Sequence, residues 1–480
     1  MQKFILLVLL IIASSYSSCS KKSTDPNNNP GPVPTDSSGT NDAGFWLTNG
    51  DQTVLLQQQV KLSFNTKTNQ YPIIDVDSVQ KFQTIDGFGF TLTGGSATLI
   101  NQMNATAKAA LLKELFGKDS SSISISYLRL SIGASDLNAS VFSYDDLPAG
   151  STDTGLIHFS LAQDTTDLIP LLKEILVINP SVKIIAAPWS APIWMKDNGS
   201  SVGGSLLPVY YNVYAKYFVK YIQQMKANGI TIDAVTPQNE PLNPDNNPSL
   251  YMVATDQSAF IKNSLGPAFR AAGINTKIVL YDHNCDHPEY VTTILSDTSS
   301  AKYVDGSAFH LYAGNISALT PVHNAYPLKN IYFTEQYTAS TTGFAGDLQW
   351  HLANVIIGSM NNWSRVALEW NLANDGSFGP HTPGGCTTCK GALTISGSVV
   401  SRNVGYYIIA HASKFVAPGS VRIASTQVAS LQNVAFETPA GKKVLIVINN
   451  SNSSVAFNIR FKGSWITTGL PGGSAGTYLW

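Results

Sequence analysis

A (β/α)8 barrel joined to a small antiparallel β-sandwich is the fold the sequence predicts, on three observations. Between residues 80 and 416, short apolar runs rich in β-branched residues alternate with longer amphipathic segments. Eight such runs occur, the number that closes a parallel barrel. Past residue 417 the helical period disappears and two-residue alternation replaces it, with Gly, Asn and Ser turns between. Composition permits a core of this size. Of 480 residues, 44% are hydrophobic and only 13% charged, which excludes a largely disordered chain. Thirty Lys and Arg against 31 Asp and Glu leave a net charge of -1, so no nucleic-acid partner is expected.

The elements follow in order. Lys3 precedes the apolar run Phe4–Ala13, and small residues follow up to Cys19. The run falls well short of the roughly 20 residues a membrane span needs, so residues 1–18 read as a signal peptide. Tyr16-Ser17-Ser18-Cys19 resembles the end of a bacterial lipoprotein signal, with Cys19 as the lipidated first residue. The expectation is an exported protein, monomeric and held to the outer membrane through Cys19. Lys21 and Lys22 stand where surface lipoproteins often carry acidic residues, which leaves the membrane face open. Residues 19–44 are polar and Pro-rich and read as a tether. Residues 45–79 carry strand patterns within Thr53–Val76, expected to pair with the tail as part of the side domain.

The barrel is assigned to residues 80–416 and the C-terminal sandwich to 417–480. Barrel strands are predicted at Phe82–Phe90, Ser126–Gly133, Lys183–Pro188, Asp233–Gln238, Lys277–Asp282, Gly306–Leu311, Asn330–Thr334 and Arg365–Trp370. Helices are predicted at Ser96–Phe116, Thr166–Val177, Val209–Asn228, Gln257–Ala272, Asp347–Asn361 and Ser401–Phe415. Tyr210, Val213, Tyr214, Tyr217, Phe218 and Tyr221 recur at helical spacing and form a core-facing stripe. A doubly wound open sheet is the structural alternative. Asp86-Gly87-Phe88-Gly89 lacks the further glycine its phosphate loop requires. In the tail, Val444–Ile448 is one apolar strand, and Val455, Phe457, Ile459 and Phe461 alternate along another.

Past Cys19 the cysteines are Cys285, Cys386 and Cys389. A single CxxC in a Gly/Pro/Thr loop is a weak zinc signal, and in an exported protein a Cys386–Cys389 disulfide is the better reading. His283 and His287 flank Cys285, but at a strand end rather than on a helix, and no metal is expected.

Side chains at the C-terminal ends of barrel strands line the active site. Here those ends carry Asp136, Trp189, Asn239-Glu240, Asp282-His283, His310-Leu311-Tyr312, Glu335 and Trp370-Asn371. Those strand ends carry no lysine cluster, three-histidine set or Gly-x-Ser-x-Gly elbow. Two carboxyls among aromatics suit cleavage of a glycosidic bond. One must give a proton to the departing oxygen; the other must attack the anomeric carbon or activate water. Flat rings suit the C–H faces of sugars, and amides suit their hydroxyls. No cofactor is needed.

The motifs sharpen this. Thr236-Pro237-Gln238-Asn239-Glu240-Pro241 resembles the acid/base motif on strand 4 of retaining (β/α)8 glycosidases, and Tyr332-Phe333-Thr334-Glu335-Gln336 the nucleophile motif on strand 7. With Gln83–Gly89, Arg129, Ser135-Asp136, Ala187–Lys196, Trp370-Asn371-Leu372 and His411–Phe415, the chain resembles glycoside hydrolase family 30. That family includes bacterial β-1,6-glucanases and glucosylceramidase. Gly89-Phe90-Thr91-Leu92-Thr93-Gly94-Gly95-Ser96, and Pro383 to Cys389, resemble the β-1,6-glucanase branch.

The resemblance implies Glu240 as acid/base and Glu335 as nucleophile, with carboxyls about 5–5.5 Å apart. In the free enzyme Glu335 is expected ionised and Glu240 protonated. It implies Arg129 beside Glu335, Asn239 on the sugar 2-hydroxyl, His310 and Tyr312 orienting the nucleophile or the reacting sugar, and sugar contacts from Asp136, Trp189, Trp370 and Asn371. The expected partner is β-glucan. Other substrates of the family (glucosylceramide, xylan, galactan) and a non-catalytic glycan-binding lipoprotein are the alternatives. Glu369, one residue before Trp370, is expected to face away from the barrel mouth.

Overall fold

A computed structural model describes residues 42–480. Eight parallel strands form a closed barrel: β1 (Gly87–Thr91), β2 (Tyr127–Ser131), β3 (Lys183–Ala187), β4 (Ala234–Val235), β5 (Lys277–Cys285), β6 (Val304–Gly314), β7 (Asn330–Glu335) and β8 (Ser364–Asn371). Each pairs with its sequence neighbours, and β8 returns to β1. Every predicted run falls on one of them. Inward-facing Tyr127, Ile185, Ala234, Val279, Ala308, Tyr332, Val366 and Leu368 pack into one buried cluster that fills the barrel. The β1–β2 contact depends on Gly89, since a Cβ there would meet the Tyr127 carbonyl oxygen at 1.9 Å.

Three predicted helices prove interrupted. The first divides into Gly94–Asn101 and Ala105–Phe116, because the Asn104 side chain accepts from the Ala107 N–H and starts a new helix. The segments at 257–272 and 347–361 each hold a π-helical stretch, Ile261–Leu265 and Leu352–Gly358. An apolar period alone does not report such a local widening. The aromatic stripe of helix Tyr211–Ala227 is buried at Tyr214, Tyr217, Phe218 and Tyr221, as expected.

The first predicted strand is also corrected. Residues 82–84 end the side-domain strand Ile73–Thr84, which pairs with Val421–Ser425 and Val455–Phe461; the barrel begins at Gly87. Strand patterning runs unbroken through this boundary, so periodicity could not mark it. Between the two strands, Asp86 is held by Lys183 at 2.8 Å and Arg365 at 3.0 Å.

The side domain joins both ends of the described chain. Asp42–Thr48 pairs with Ala475–Leu479, so pairing begins inside the stretch read as tether through residue 44. The tail strands Leu431–Glu437, Lys443–Asn449 and Val455–Phe461 complete it together with Ser464–Leu470. Its core gathers Phe45, Ile74, Val76, Leu445, Val447, Phe457, Ile459 and Tyr478. Buried His411, on helix Val404–Ser413, bonds Thr477 Oγ1 at 2.9 Å and Thr48 Oγ1 at 2.8 Å, fastening the barrel's last helix to the paired first and last strands of the described chain. The predicted signal peptide, Cys19 and nearly all of the tether lie outside the described residues. Among the described residues no helix is long and apolar enough to cross a membrane.

Candidate active site

The carboxyl ends of the barrel strands converge on a cleft of about 820 Å³. Asp136, Trp189, Glu240, Tyr312, Glu335 and Trp370 all line it, brought from six different strands or the loops that follow them. Glu240 and Glu335 lie opposite each other, with a carboxylate oxygen of each within 4.8 Å. That spacing suits direct attack on the sugar; the inverting route needs roughly 6.5–9.5 Å between carboxyls to admit a water.

The nucleophile side is built on charge. Arg129, wholly buried on β2, donates to Glu335 Oε2 at 2.5 Å, to Asn239 Oδ1 at 2.6 Å and to Asp282 Oδ2 at 2.8 Å. Tyr312 Oη donates to Glu335 Oε1 at 3.0 Å. Both Glu335 oxygens are therefore oriented. Arg129 also stacks over Trp189, 4.8 Å from the ring centroid, and Trp189 lies 5.3 Å from Trp370. The two indoles form the aromatic floor beside the nucleophile.

The acid side is built on backbone strain. Glu240 follows the short strand β4 with φ of 44°, and Asp282 on β5 has φ of 66°. Such left-handed backbone costs roughly 1–3 kcal/mol per non-glycine residue and recurs at functional sites. The Glu240 N–H donates to the Asp282 carbonyl at 2.9 Å, locking the two turns together. His310 Nδ1 lies 3.1 Å from Glu240 Oε1, and Asn243 donates to Oε2 at 2.7 Å.

Asp282 ties both sides together. It is fully buried and accepts from Arg129, Thr236 (2.7 Å) and Thr334 (2.7 Å), with His310 Nε2 at 3.1 Å. These partners hold its carboxyl well below the usual range against the cost of burial. Around the cleft, three carboxyls (Glu240, Glu335 and Asp282) face two cations, Arg129 and His310, the latter raised to about 9 by the surrounding carboxylates despite its burial. Among these five groups, one proton on the glutamate pair leaves the charges balanced. Burial raises Glu335, while His310 and Asn243 overcome burial at Glu240 and hold it at about 2. These directions run against the expected order: His310 bonds Glu240 at 3.1 Å and stands 3.8 Å from Glu335, where burial outweighs the Arg129 cation.

Residues 85–416 match the glycosyl hydrolase family 30 TIM-barrel domain, and residues 419–478 match the family's β-sandwich domain. The chain belongs to glycosyl hydrolase family 30. An endo-1,6-β-D-glucanase of Neurospora crassa is 34% identical, with 85% of this chain and 87% of the relative covered. The solved structure of the endo-β1,6-glucanase BT3312 superposes with a TM-score of 0.85 at 36% identity, covering 92% of this chain and 99% of that one. The mouse lysosomal acid glucosylceramidase is 27% identical over 85% of this chain and 83% of its own.

Within this family 30 site, two sequence expectations are corrected. His310 is expected to orient the nucleophile or the reacting sugar; fully buried, with both ring nitrogens taken by Glu240 and Asp282, it does not meet the sugar. It orients the pair instead. Asn371 is buried and does not line the cleft. Asn239 stands behind Glu240, its Oδ1 fixed by Arg129. Cys386 and Cys389 are bonded to each other. Glu369 is turned away as expected and bonds His351 Nδ1 at 2.8 Å.

Glu240, His310 and Glu335 are also close enough to enclose a metal ion. Each ligand atom is already hydrogen-bonded to another group of the site, so the arrangement is better suited to proton transfer. The trio His283, Cys285 and His287 divides three ways, toward the Leu242 N–H, the His310 carbonyl and Glu289. The sequence reading placed Asp282 and His283 at a strand end but gave Asp282 no role, and it missed Asn243. An ionisable Asp closing the apolar run Ile278–Tyr281 was the available signal for Asp282.

Proposed function

We propose that this glycoside hydrolase cleaves β-1,6-linked glucan with retention of anomeric configuration, by double displacement. The observation that carries the mechanism is the carboxylate separation within 4.8 Å. The 34% and 36% identities to endo-β-1,6-glucanases, against 27% to 30% for glucosylceramidases, support the substrate. Glu335 attacks the anomeric carbon while Glu240 protonates the departing oxygen; Glu240 then takes a proton from the water that releases the sugar.

Turnover draws on the proton isomer of the free site, with the shared proton on Glu240 and Glu335 ionised. The two forms carry the same charge and differ by one proton moved between oxygens that lie within 4.8 Å. Arg129 and Tyr312 are placed to stabilise the ionised nucleophile. Trp189 and Trp370 offer faces to the sugar on the non-reducing side, and Asp136 lies beside them, its carboxyl raised to about 7 by burial. Asn239, its Oδ1 held by Arg129, takes the 2-hydroxyl in this reading.

Assays on β-1,6-glucan, β-1,4-xylan, β-galactan and glucosylceramide test the substrate. The expected result is release of gentio-oligosaccharides from β-1,6-glucan, with the other three turned over at least about a hundredfold more slowly, a discrimination of roughly 2.7 kcal/mol. Preferred hydrolysis of glucosylceramide or xylan would overturn the substrate while leaving the mechanism intact. Anchoring at Cys19 belongs to the same reading, supported by the signal-like N-terminus. Cys19→Ala should move the enzyme from the membrane fraction to the soluble fraction; unchanged membrane association would refute the anchor.

A further inference from the structure

The loop after β8 does more than cover the barrel mouth. Gly384, Gly385, Cys386, Thr387, Thr388 and Cys389 all line the cleft. The loop reaches strands distant in sequence. Thr382 donates its N–H to the Asp136 carbonyl at 2.8 Å and its hydroxyl to the Asn247 carbonyl at 2.6 Å. Asn247 Nδ2 returns a bond to the Pro383 carbonyl at 2.9 Å. At its far end Cys389 pairs with Ala339, and Asn374 Nδ2 donates to the Cys389 carbonyl.

Between these anchors lies the Cys386–Cys389 disulfide. One of its cysteines turns inward: Cys389 is 3% exposed and packs in one cluster with Leu137, Trp189 and Trp370. The other presents its backbone: the Cys386 N–H donates to Asp136 Oδ2 at 3.2 Å. Asp136 itself is 4% exposed, and its Oδ1 has no protein partner. A short covalent ring thus bonds one of the three groups assigned above to the non-reducing sugar and packs in the same buried cluster as the other two.

We propose that the Cys386–Cys389 disulfide is the positioning element of the subsite for the non-reducing sugar: it sets Asp136 by one backbone N–H and holds Cys389 in the buried cluster with Trp189 and Trp370. The inference rests on the subsite assignment under the proposed function. Opening the ring frees Cys386 to rotate away, since the outer anchors at Thr382 and Cys389 do not constrain its N–H. Asp136 then loses the one donor on Oδ2, in a setting where an unpaired buried carboxyl is costly.

The test is a double-mutant cycle on the full-length enzyme: wild type, Cys386→Ala/Cys389→Ala, Asp136→Asn, and the three combined. Hydrolysis of gentio-oligosaccharides and thermal unfolding are followed in each. The cysteine pair variant should lose about 10²-fold in kcat/KM, the scale of a misplaced substrate contact. The same changes should cost little more once Asp136 is already Asn. The pH profile supplies a readout that a merely structural clip would not move. The Cys386 N–H favours the ionised Asp136, while Glu335 and Glu240 oppose it in both forms. The Asp136 limb should therefore shift to higher pH when the ring is absent.

If the variant does not fold, Gly385→Ala keeps the disulfide but brings a Cβ within 2.5 Å of the Asp136 carbonyl oxygen, and should give the same loss. Unchanged kcat/KM in the cysteine variant, or a loss that adds in full to Asp136→Asn, overturns the proposal. Failure of the substrate reading appears separately, in the wild-type panel, and the cycle then runs on whichever glycan that panel selects.

Discussion

Replacing Glu335 by alanine should reduce turnover by about 10⁴-fold or more, the scale seen when a covalent nucleophile is removed. The variant leaves room at the anomeric carbon on the face the carboxylate occupied. Azide supplied to it should restore cleavage of an activated β-glucoside and give an α-glucosyl azide, because the small anion attacks from that face and no second displacement follows. Thermal unfolding provides the control. Arg129 loses its 2.5 Å partner but keeps Asp282 at 2.8 Å, so the buried cation is not left alone. Glu335→Gln, which preserves the shape, separates lost chemistry from lost fold. Turnover without azide at more than a few per cent of wild type would remove Glu335 from the nucleophile role.

Replacing Glu240 by alanine should give the complementary pattern. On natural glycan the departing sugar alkoxide needs a proton, and loss of a general acid costs about 10²–10⁴-fold. On a dinitrophenyl glycoside the leaving group departs unassisted, so the first step should survive and release from the covalent intermediate should become limiting. The pH dependence separates the two substrates. Wild-type activity on glycan falls as pH rises and the glutamate pair gives up its shared proton; the variant, assayed on the activated glycoside, should show no such alkaline limb. Wild-type behaviour on natural glycan would reject Glu240 as the acid.

The barrel was legible because its signal repeats: eight β-branched runs at similar intervals leave little freedom in topology. The pair Glu240 and Glu335 was legible because each sits in a dense motif at a strand end, and strand ends converge in this fold. Residues that act at a distance were not. Asp282 earns its place through four donors from β2, between β4 and Glu240, β6 and β7, a convergence that exists only after the barrel closes. His310 reads as polar and site-facing in sequence, and only the packed structure shows that Glu240 and Asp282 use both its nitrogens. The proton order within the glutamate pair escaped for the same reason. It depends on how burial, His310 and Arg129 divide between the two carboxylates once the barrel has packed. The Ile73–Thr84 strand was misjoined to β1 because one strand pattern serves two sheets in succession.

The whole account turns on two carboxyls acting in sequence on opposite faces of one anomeric carbon. Proton NMR, recorded in the first minutes of hydrolysis of a gentio-oligosaccharide and before mutarotation, reads that directly. The β-anomer of the new reducing end should appear first and the α-anomer grow in later; an α-anomer formed first would contradict the double displacement and the role of Glu335 with it.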